Sequence, residues 1–288
     1  MNRGPCLIAL AVGVAACAAR STPPAGPAPT RATAAPAAAP TPTTPTMLRY
    51  SAGTGHYRFD SQSHVEQEAM GQTTALDLTT AALLTVAVAD TAGNLGVVVT
   101  IDSLGITAPM GAPAPSELAS AKGQTVRLVV SPQGQMISLA PPEGASAAVR
   151  QVAQGFREFL PMLPPNSSAA GTTWSDTSSV TTPSQGIAVT VHMARRHTVL
   201  GWEDHGGARA LHLATTTTYT LTGTGEAQGQ TIELAGGGQR TGDAFVTAAG
   251  VYVSSTVSDS SLVNANVVSA GMVVPVRSKT RITFMRLP

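Results

Sequence analysis

The segment LTTAALLTVAVAD (residues 78–90) decides the fold class, because apolar side chains recur along it at alternate positions. A period of two is typical of a strand that buries one face. The overlapping segment ADTAGNL (89–95) predicts a turn, since Gly93 and Asn94 tolerate positive φ. A second alternating run follows, so the two strands are expected to pair antiparallel. The shared apolar face holds Leu76, Leu78, Ala82, Leu84, Val86 and Val88, then Leu95, Val97, Val99 and Ile101.

The same alternation returns in HYRFDSQSHVEQE (56–68), in ALHLATTTTYTLTG (210–223) and near the C-terminus. We expect about ten or eleven strands joined mostly by short turns, which favours antiparallel pairing. The sequence therefore predicts a mainly β (α+β) fold: one large, curved, half-barrel-like antiparallel sheet. A flat two-sheet sandwich fits the same pattern. The inward positions include Tyr57, Phe59, Val65, Leu211, Leu213, Tyr219, Leu221, Val274, Val276, Ile282 and Phe284.

One segment, GASAAVRQVAQGFREFLPML (144–163), is expected to form a helix instead. Its apolar residues recur at helical spacing, and Pro161 ends the pattern. We predict one main helix near residues 145–160 that covers the sheet. Two alternatives follow for its apolar stripe: it fills the core, or it also lines a cavity for a lipid or other apolar ligand. The candidate lining residues are Val152, Phe156, Phe159 and Leu160.

The N-terminus predicts export and a lipid anchor. Residues 1–16 combine Arg3 with a short apolar run, which is typical of a signal peptide. Val14-Ala15-Ala16-Cys17 resembles the bacterial lipobox, and this resemblance implies cleavage before Cys17 and lipidation of its thiol. An ordinary signal cut near Ala16 or Ala19 is the alternative. With Ala18 following the cysteine, the resemblance implies the outer membrane, facing the periplasm, if the cell has two membranes.

Residues 17–46 predict a lipidated cysteine followed by a disordered tether. From Ser21 to Thr46 the chain is almost entirely Pro, Ala, Thr and Ser. Such a stretch favours polyproline II and would reach about 80 Å when extended. The tether leaves residues 47–288 as a single β-rich domain.

Composition excludes some classes of function. The chain is 43% hydrophobic and 11% charged with a net charge of +1, which argues against nucleic-acid binding. Cys6 and Cys17 are its two cysteines, so the predicted domain has no thiol chemistry. Arg195, Arg196, Arg277, Lys279 and Arg281 could form a small basic patch for acidic lipid head groups, or simply a solvated sheet face.

The sequence contains none of the motifs G-x-S-x-G, P-loop, H-E-x-x-H or EF-hand. His205-Gly206-Gly207 predicts a hairpin turn, and Gly236-Gly237-Gly238 a hairpin or bulge. HTVLGWEDH (197–205) carries zinc-type ligands, but Glu203, Asp204 and His205 are consecutive and their side chains should point apart. We therefore expect no enzyme, no cofactor and no metal. The Pro/Gly/Ala-rich residues 103–123 predict a long loop, passive or acting as a lid.

The order of elements resembles uncharacterised bacterial lipoproteins: lipobox, tether, β-rich half, Pro-ended helix, a GTTW restart at 171–174, and a second β-rich half. It is more distantly similar to periplasmic lipoprotein carriers of the LolA and LppX type. That likeness implies a lipid-sized cavity under a curled sheet of about eleven strands. Three functions follow: an apolar-ligand binder, a structural or interaction lipoprotein with a filled core, and, least supported, a hydrolase. Protein partners are not indicated.

Overall fold

The computed structural model describes residues 47–109, 113–184, 186–227 and 229–288. The expectations for the signal peptide, Cys17 and the tether fall outside these ranges. The described chain forms eleven strands: β1 Gly53–Ala69, β2 Gln72–Thr91, β3 Asn94–Thr107, β4 Thr125–Val130, β5 Met136–Ala140, β6 Thr173–Ser184, β7 Ile187–His205, β8 Ala208–Ala227, β9 Gln230–Thr247, β10 Tyr252–Val267 and β11 Met272–Arg286. Two α-helices are present in this part of the chain: α1 (Pro115–Ser120) lies between β3 and β4, and α2 (Ala147–Gly155) lies between β5 and β6.

All eleven strands belong to one antiparallel sheet with the order β5-β4-β3-β2-β1-β11-β10-β9-β8-β7-β6. Strands that follow each other in the chain pair with each other, except β5 and β6, which are the two edges of the sheet. β1 pairs with β11 and thereby joins the two halves of the chain. The sheet curls into a half-barrel, which confirms the predicted mainly β architecture. Its concave side, here called the inner face, carries the alternate residues that the sequence assigned to the core.

The β2–β3 turn is where the sequence predicted it, with one difference in detail. Positive φ falls on Ala92 (46°) and Gly93 (90°), whereas Asn94 already belongs to β3. Gly206 and Gly207 likewise form the predicted β7–β8 turn, with φ of 57° and 78°. Both hairpins are therefore set by local turn residues.

The helix is shorter than predicted. α2 ends at Gly155 and continues only as a 3-10 turn, Phe156–Glu158. Gly155 has poor helix propensity, and the two phenylalanines that follow pack into the sheet instead of extending the stripe. At the other end, the Ser146 hydroxyl accepts a hydrogen bond from the Val149 N–H and caps the helix. α2 therefore covers one end of the inner face and not its whole length.

Two further expectations are wrong in part. The predicted loop 103–123 contains the end of β3, up to Thr107, and the short helix α1, after which Ala121 is fully buried. The glycines 236–238 lie in the middle of β9, not in a turn or bulge. A Cβ at Gly236 would meet the backbone of Val263, and one at Gly238 the backbone of Ser260. These glycines are needed because the neighbouring strands approach β9 closely there.

The inner face has two apolar clusters. The larger one lies under α2 and includes Phe59, Leu84, Val99 and Phe284. The smaller one lies on β7 to β10, away from α2, and consists of Ile187, Leu221, Ile232, Leu234, Val263 and Ala265. Among the described residues, all eleven strands and both apolar clusters lie between residues 47 and 288.

Candidate functional site

The residues predicted to line a cavity lie mostly in a packed core. Val152, Phe156 and Phe159 are 5%, 0% and 1% exposed, and Leu160 packs against them half-buried. The ring of Phe159 meets those of Tyr57 and Phe284 edge-on at centroid distances of 5.5 and 5.1 Å. Edge-to-face rings at such distances stabilise a core beyond their buried area.

A small opening remains beside this core. It has a volume of about 60 Å³ and is bordered by Tyr50, Phe159, Leu160 and Tyr252, among others. The Tyr50 hydroxyl donates to the Pro161 carbonyl at 2.7 Å, which holds the segment after α2 against the sheet. A space of this size holds one or two waters but not an acyl chain.

Between the two apolar clusters, polar side chains cross the inner face in a single row. Successive register pairs on β6, β7, β8, β9, β10, β11 and β1 place seven residues side by side, and we call this row the polar belt. It consists of Asp176, Arg195, Thr217, Arg240, Asp259, Thr280 and Ser63. Buried polar groups are tolerated when they are hydrogen-bonded to one another. The belt meets this condition at its centre and at both ends, where Asp176 bonds to Arg195 and the Ser63 hydroxyl to the Thr280 hydroxyl.

Asp259 is the centre of the belt and is fully buried. Its Oδ2 accepts from Arg240 Nε at 2.8 Å and from Nη2 at 2.6 Å. Its Oδ1 accepts from the Tyr219 hydroxyl at 2.8 Å. Burial, followed by the adjacent Asp259 charge, raises the pKa of Tyr219 well above its ordinary value, so the phenol stays a donor. The carboxylate is thus satisfied on both oxygens.

A second polar group lies at the β6 end of the belt. His197 is 3% exposed and stacks on Trp174 at a centroid distance of 5.0 Å. Its Nε2 lies 3.0 Å from Asp176 Oδ2 and its Nδ1 2.9 Å from Thr215 Oγ1. Arg195 Nη1 donates to the other Asp176 oxygen at 2.8 Å. A carboxylate only accepts, so Nε2 carries the proton, and in the neutral ring Nδ1 accepts from Thr215.

The electrostatics of this group favour a neutral imidazole. Burial lowers the pKa of His197, although its hydrogen bond to Asp176 acts in the opposite direction. Burial alone would raise the pKa of Asp176, but the hydrogen bonds from His197 and Arg195 and the Arg195 charge outweigh it and lower that pKa. The Asp176 carboxylate is therefore ionised, and His197 is uncharged near neutral pH.

Asp176, His197 and Thr215 form the acid–imidazole–hydroxyl sequence of a hydrolase triad, but their surroundings differ from a catalytic site. Thr215 lies within β8, which pairs with β7 on one side and β9 on the other. Backbone N–H groups in such a doubly paired strand are used in the ladders, so none is left to form an oxyanion hole there. The geometry favours a structural polar network.

The residues that the sequence proposed as metal ligands or as a basic patch are separated. His197 points to the inner face, whereas His205 Nε2 pairs with Ser254 Oγ at 2.8 Å near the β7–β8 turn. Within the described ranges, no three His, Cys, Asp or Glu side chains converge as a metal site requires. Arg195 lies in the polar belt. Arg196 shares a row with Arg281 but is four strands away from it.

On the convex side, here called the outer face, lies a groove of about 440 Å³. It spans β1, β11, β10 and β9, and we call it the outer groove. The register aligns His64, Lys279, Ser260 and Gln239 in one row across the four strands. The adjacent row contains Glu66, Arg277 and Leu262. Next to Leu262 the row continues with Gly237, which has no side chain.

The outer groove combines cations with hydrogen-bonding groups. Arg277 Nη1 lies 4.0 Å from Glu68 Oε2, the limit of an ion pair, and among the described residues the Lys279 ammonium has no hydrogen-bond or ion-pair partner. His64 lies 2.8 Å from Asp77 Oδ1 and 3.4 Å from Glu66 Oε1. The hydrogen bonds to Asp77 and then to Glu66 raise the pKa of His64. Both hydrogen bonds favour the charged form of the ring.

In the part of the chain that the structure describes, the protein is an eleven-stranded antiparallel half-barrel. Its inner face is filled by its own side chains, and its outer face has a polar groove. No protein-family model matches the chain, and a search of curated proteins finds no match either.

Solved structures with some likeness include three bacterial proteins. OccK2 (OpdF) of Pseudomonas aeruginosa has a TM-score of 0.29 at 7% identity, over 82% of this chain and 98% of that one. A Bacteroides fragilis protein described as a putative exported protein with a YmcC-like fold has a TM-score of 0.23 at 10% identity. The likeness covers 84% of this chain and 98% of that one. A DUF1329 family protein of Desulfovibrio piger has a TM-score of 0.19 at 8% identity, and the likeness covers 77% of this chain and 83% of that one. These TM-scores are too low to carry an argument about function.

Sequence reasoning missed the polar belt and found only part of the outer groove. The signal for the belt was a charge at an inward position: Asp259 has the same parity as Val257 and Val263 in the alternating pattern of β10. Arg277 and Lys279 of the groove were named as members of a basic patch. The other groove residues had no local signal, because they come from several strands whose register is set by the whole sheet.

Proposed function

We propose that this protein is a membrane-anchored envelope lipoprotein whose domain is non-catalytic and serves as a structural or interaction module. The anchor rests on the lipobox-like residues Val14-Ala15-Ala16-Cys17 and on the Pro/Ala/Thr tether. Two or more acyl chains, as such lipoproteins carry, would hold it stably at a membrane. Among the described residues, none of the helices is long and apolar enough to cross one. With Ala18 after the cysteine, we propose the periplasmic side of an outer membrane.

The observation that carries the proposal is the filled inner face. Phe156 and Phe159 occupy the space between α2 and the sheet and are fully buried there. A lipid carrier would need several hundred Å³ of apolar space in this position, and the opening beside Phe159 has about 60 Å³. The filled core therefore favours the interaction module over the apolar-ligand binder.

The polar belt supports the same choice. An acyl chain lying along the inner face would have to cross it and would bury Asp259 and Arg240 against hydrocarbon. Placing polar or charged groups next to an apolar ligand is costly unless their bonds are kept. The belt thus interrupts the continuous apolar surface that a carrier of the LolA or LppX type would need.

The anchor is tested by metabolic labelling with an alkyne-bearing palmitate in a bacterium that produces the full chain. We expect label on the wild type and on Cys6→Ser, and none on Cys17→Ser. Equal labelling of Cys17→Ser would overturn the anchor.

The filled core is tested by native mass spectrometry on the chain from Met47 onward. We expect that chain to fold and to carry no stoichiometric lipid. A bound acyl lipid at one-to-one ratio would overturn the interaction module in favour of the apolar-ligand binder.

A further inference from the structure

The outer groove contains more hydrogen-bond donors than its own residues use. Lys279, Ser260 and Gln239 lie side by side on β11, β10 and β9, and Arg277 lies two residues from Lys279 on the same face. An ammonium, a hydroxyl, an amide and a guanidinium converge there. Such a set matches an anion with several acceptor oxygens, since Arg contacts two oxygens at once and Lys acts as a mobile point charge.

The cations of the groove are only weakly engaged by its own residues. The Arg277–Glu68 pair is long, at 4.0 Å, and both side chains are more than half exposed, so it contributes little. The Glu66 carboxylate faces the groove and would repel an anion. It lies 3.4 Å from His64 Nε2, but His64 Nδ1 lies closer to Asp77 Oδ1, at 2.8 Å. Attraction for an anion therefore comes from Lys279 and Arg277, which both lie on β11.

The size of the groove and one apolar residue define what accompanies the anion. A volume of about 440 Å³ exceeds that of an inorganic oxyanion and leaves room for an attached carbon group. Leu262 is 44% exposed at the floor of the groove, on a face that is otherwise polar around it. Its side chain offers a contact for that carbon group.

From this arrangement we propose that the outer groove binds a phosphate ester, with Lys279 and Arg277 holding the phosphate oxygens, Ser260 and Gln239 donating hydrogen bonds, and Leu262 contacting the esterified carbon group. The phosphate can belong to a soluble ester or to a phospholipid headgroup at the membrane. Both present the same tetrahedral oxyanion. The site is on the outer face and is independent of the filled core.

The test uses the chain from Met47 onward and two probes. Binding of glycerol 3-phosphate is measured by isothermal titration calorimetry. Co-sedimentation is measured with phosphatidylcholine vesicles that contain or lack phosphatidylglycerol. We expect binding in at least one arm, and a tenfold or greater loss of affinity in that arm for Lys279→Gln. Binding to glycerol 3-phosphate identifies a soluble ester, and binding to the anionic vesicles alone identifies a headgroup.

The matched control is Arg281→Gln, two residues from Lys279 on the same exposed face of β11 and outside the groove lining. It removes the same charge and should change affinity by less than twofold. Equal losses for Lys279→Gln and Arg281→Gln would show a general charge effect and overturn the site. An absence of binding in both arms would overturn it as well. Circular dichroism of each variant checks that the exposed substitutions leave the fold intact.

Discussion

Arg240 and Asp259 face each other across β9 and β10 and form an ion pair with Nη2 2.6 Å from Oδ2, at a point where the carboxylate is fully buried. A buried pair of this kind adds little net stability, because desolvation offsets its attraction. Its effect is on specificity: a slip of β9 against β10 would leave the Asp259 charge without a partner. We infer that the pair fixes the register at the centre of the half-barrel.

The first prediction concerns the loss of one partner. Arg240→Met should lower the free energy of unfolding by about 3–5 kcal/mol, because it leaves the Asp259 charge buried and unpaired. Urea denaturation of the chain from Met47 onward measures this. Arg281→Met, which removes an exposed arginine from β11, should cost less than about 0.5 kcal/mol. A comparable loss for both variants would contradict the role of the pair.

The second prediction tests the core under α2. Phe156 is fully buried and meets the rings of Phe59 and Phe284 at 6.4 and 6.3 Å. Phe156→Ala should therefore cost about 3–5 kcal/mol, the usual range for truncating a packed phenylalanine. Leu83→Ala, at a 43% exposed position on β2, is the control and should cost under about 1 kcal/mol.

The size of that loss also distinguishes the two functions. A cost near 1 kcal/mol for Phe156→Ala, with weaker uptake of a fluorescent fatty acid, would indicate that the side chain borders a ligand cavity. No change in either quantity would mean that α2 is not the cover of the sheet.

The sequence predicted those features of the fold that depend on the pattern of neighbouring residues, such as strand alternation and the position of the helix. Leu84 and Val86 occupy alternate positions, and both are buried in β2 as expected. The helical stripe predicted a helix at α2, whereas the Ser146 cap was seen only in the structure. The partner of Asp259 could not be predicted, because Arg240 is 19 residues away and meets it only through strand register. The three glycines of β9 suggested a turn, since nothing local indicates how closely neighbouring strands approach.

The third prediction concerns pH. The pKa of His197 is lowered in the folded protein, so below its ordinary value of about 6.5 the unfolded chain takes up a proton that the folded protein resists. Stability from this group is therefore lost as pH falls from about 6.5 toward the folded pKa. His64, whose folded pKa is raised, acts in the opposite direction.

The comparison of variants isolates the His197 contribution. The free energy of unfolding is measured by urea denaturation at several values between about pH 8 and pH 5. His197→Gln should lose less stability over this range than the wild type does. His192→Gln, on the exposed side of the same strand, should keep the wild-type pH dependence. If His197→Gln also keeps it, the burial of a neutral imidazole is wrong.

The last prediction concerns Gly238, which shares a row with Tyr219 and Ser261 on the inner face. A Cβ at this position would collide with the Ser260 carbonyl and would meet the Tyr219 ring at 2.7 Å. The ladder on both sides of β9 prevents the backbone from moving away, so Tyr219 would have to shift and lose its bond to Asp259. Gly238→Ala should therefore cost about 1–3 kcal/mol, the range for overpacking a core.

Gly105→Ala on β3 is the control, since its Cβ would meet only the Ala81 carbonyl at 3.9 Å. There the alanine should be neutral or stabilise slightly, by about 0.4–1 kcal/mol, through the entropy of the unfolded chain. Thermal unfolding measures both variants, and equal melting temperatures would show that β9 accepts a side chain at Gly238 without loss of stability.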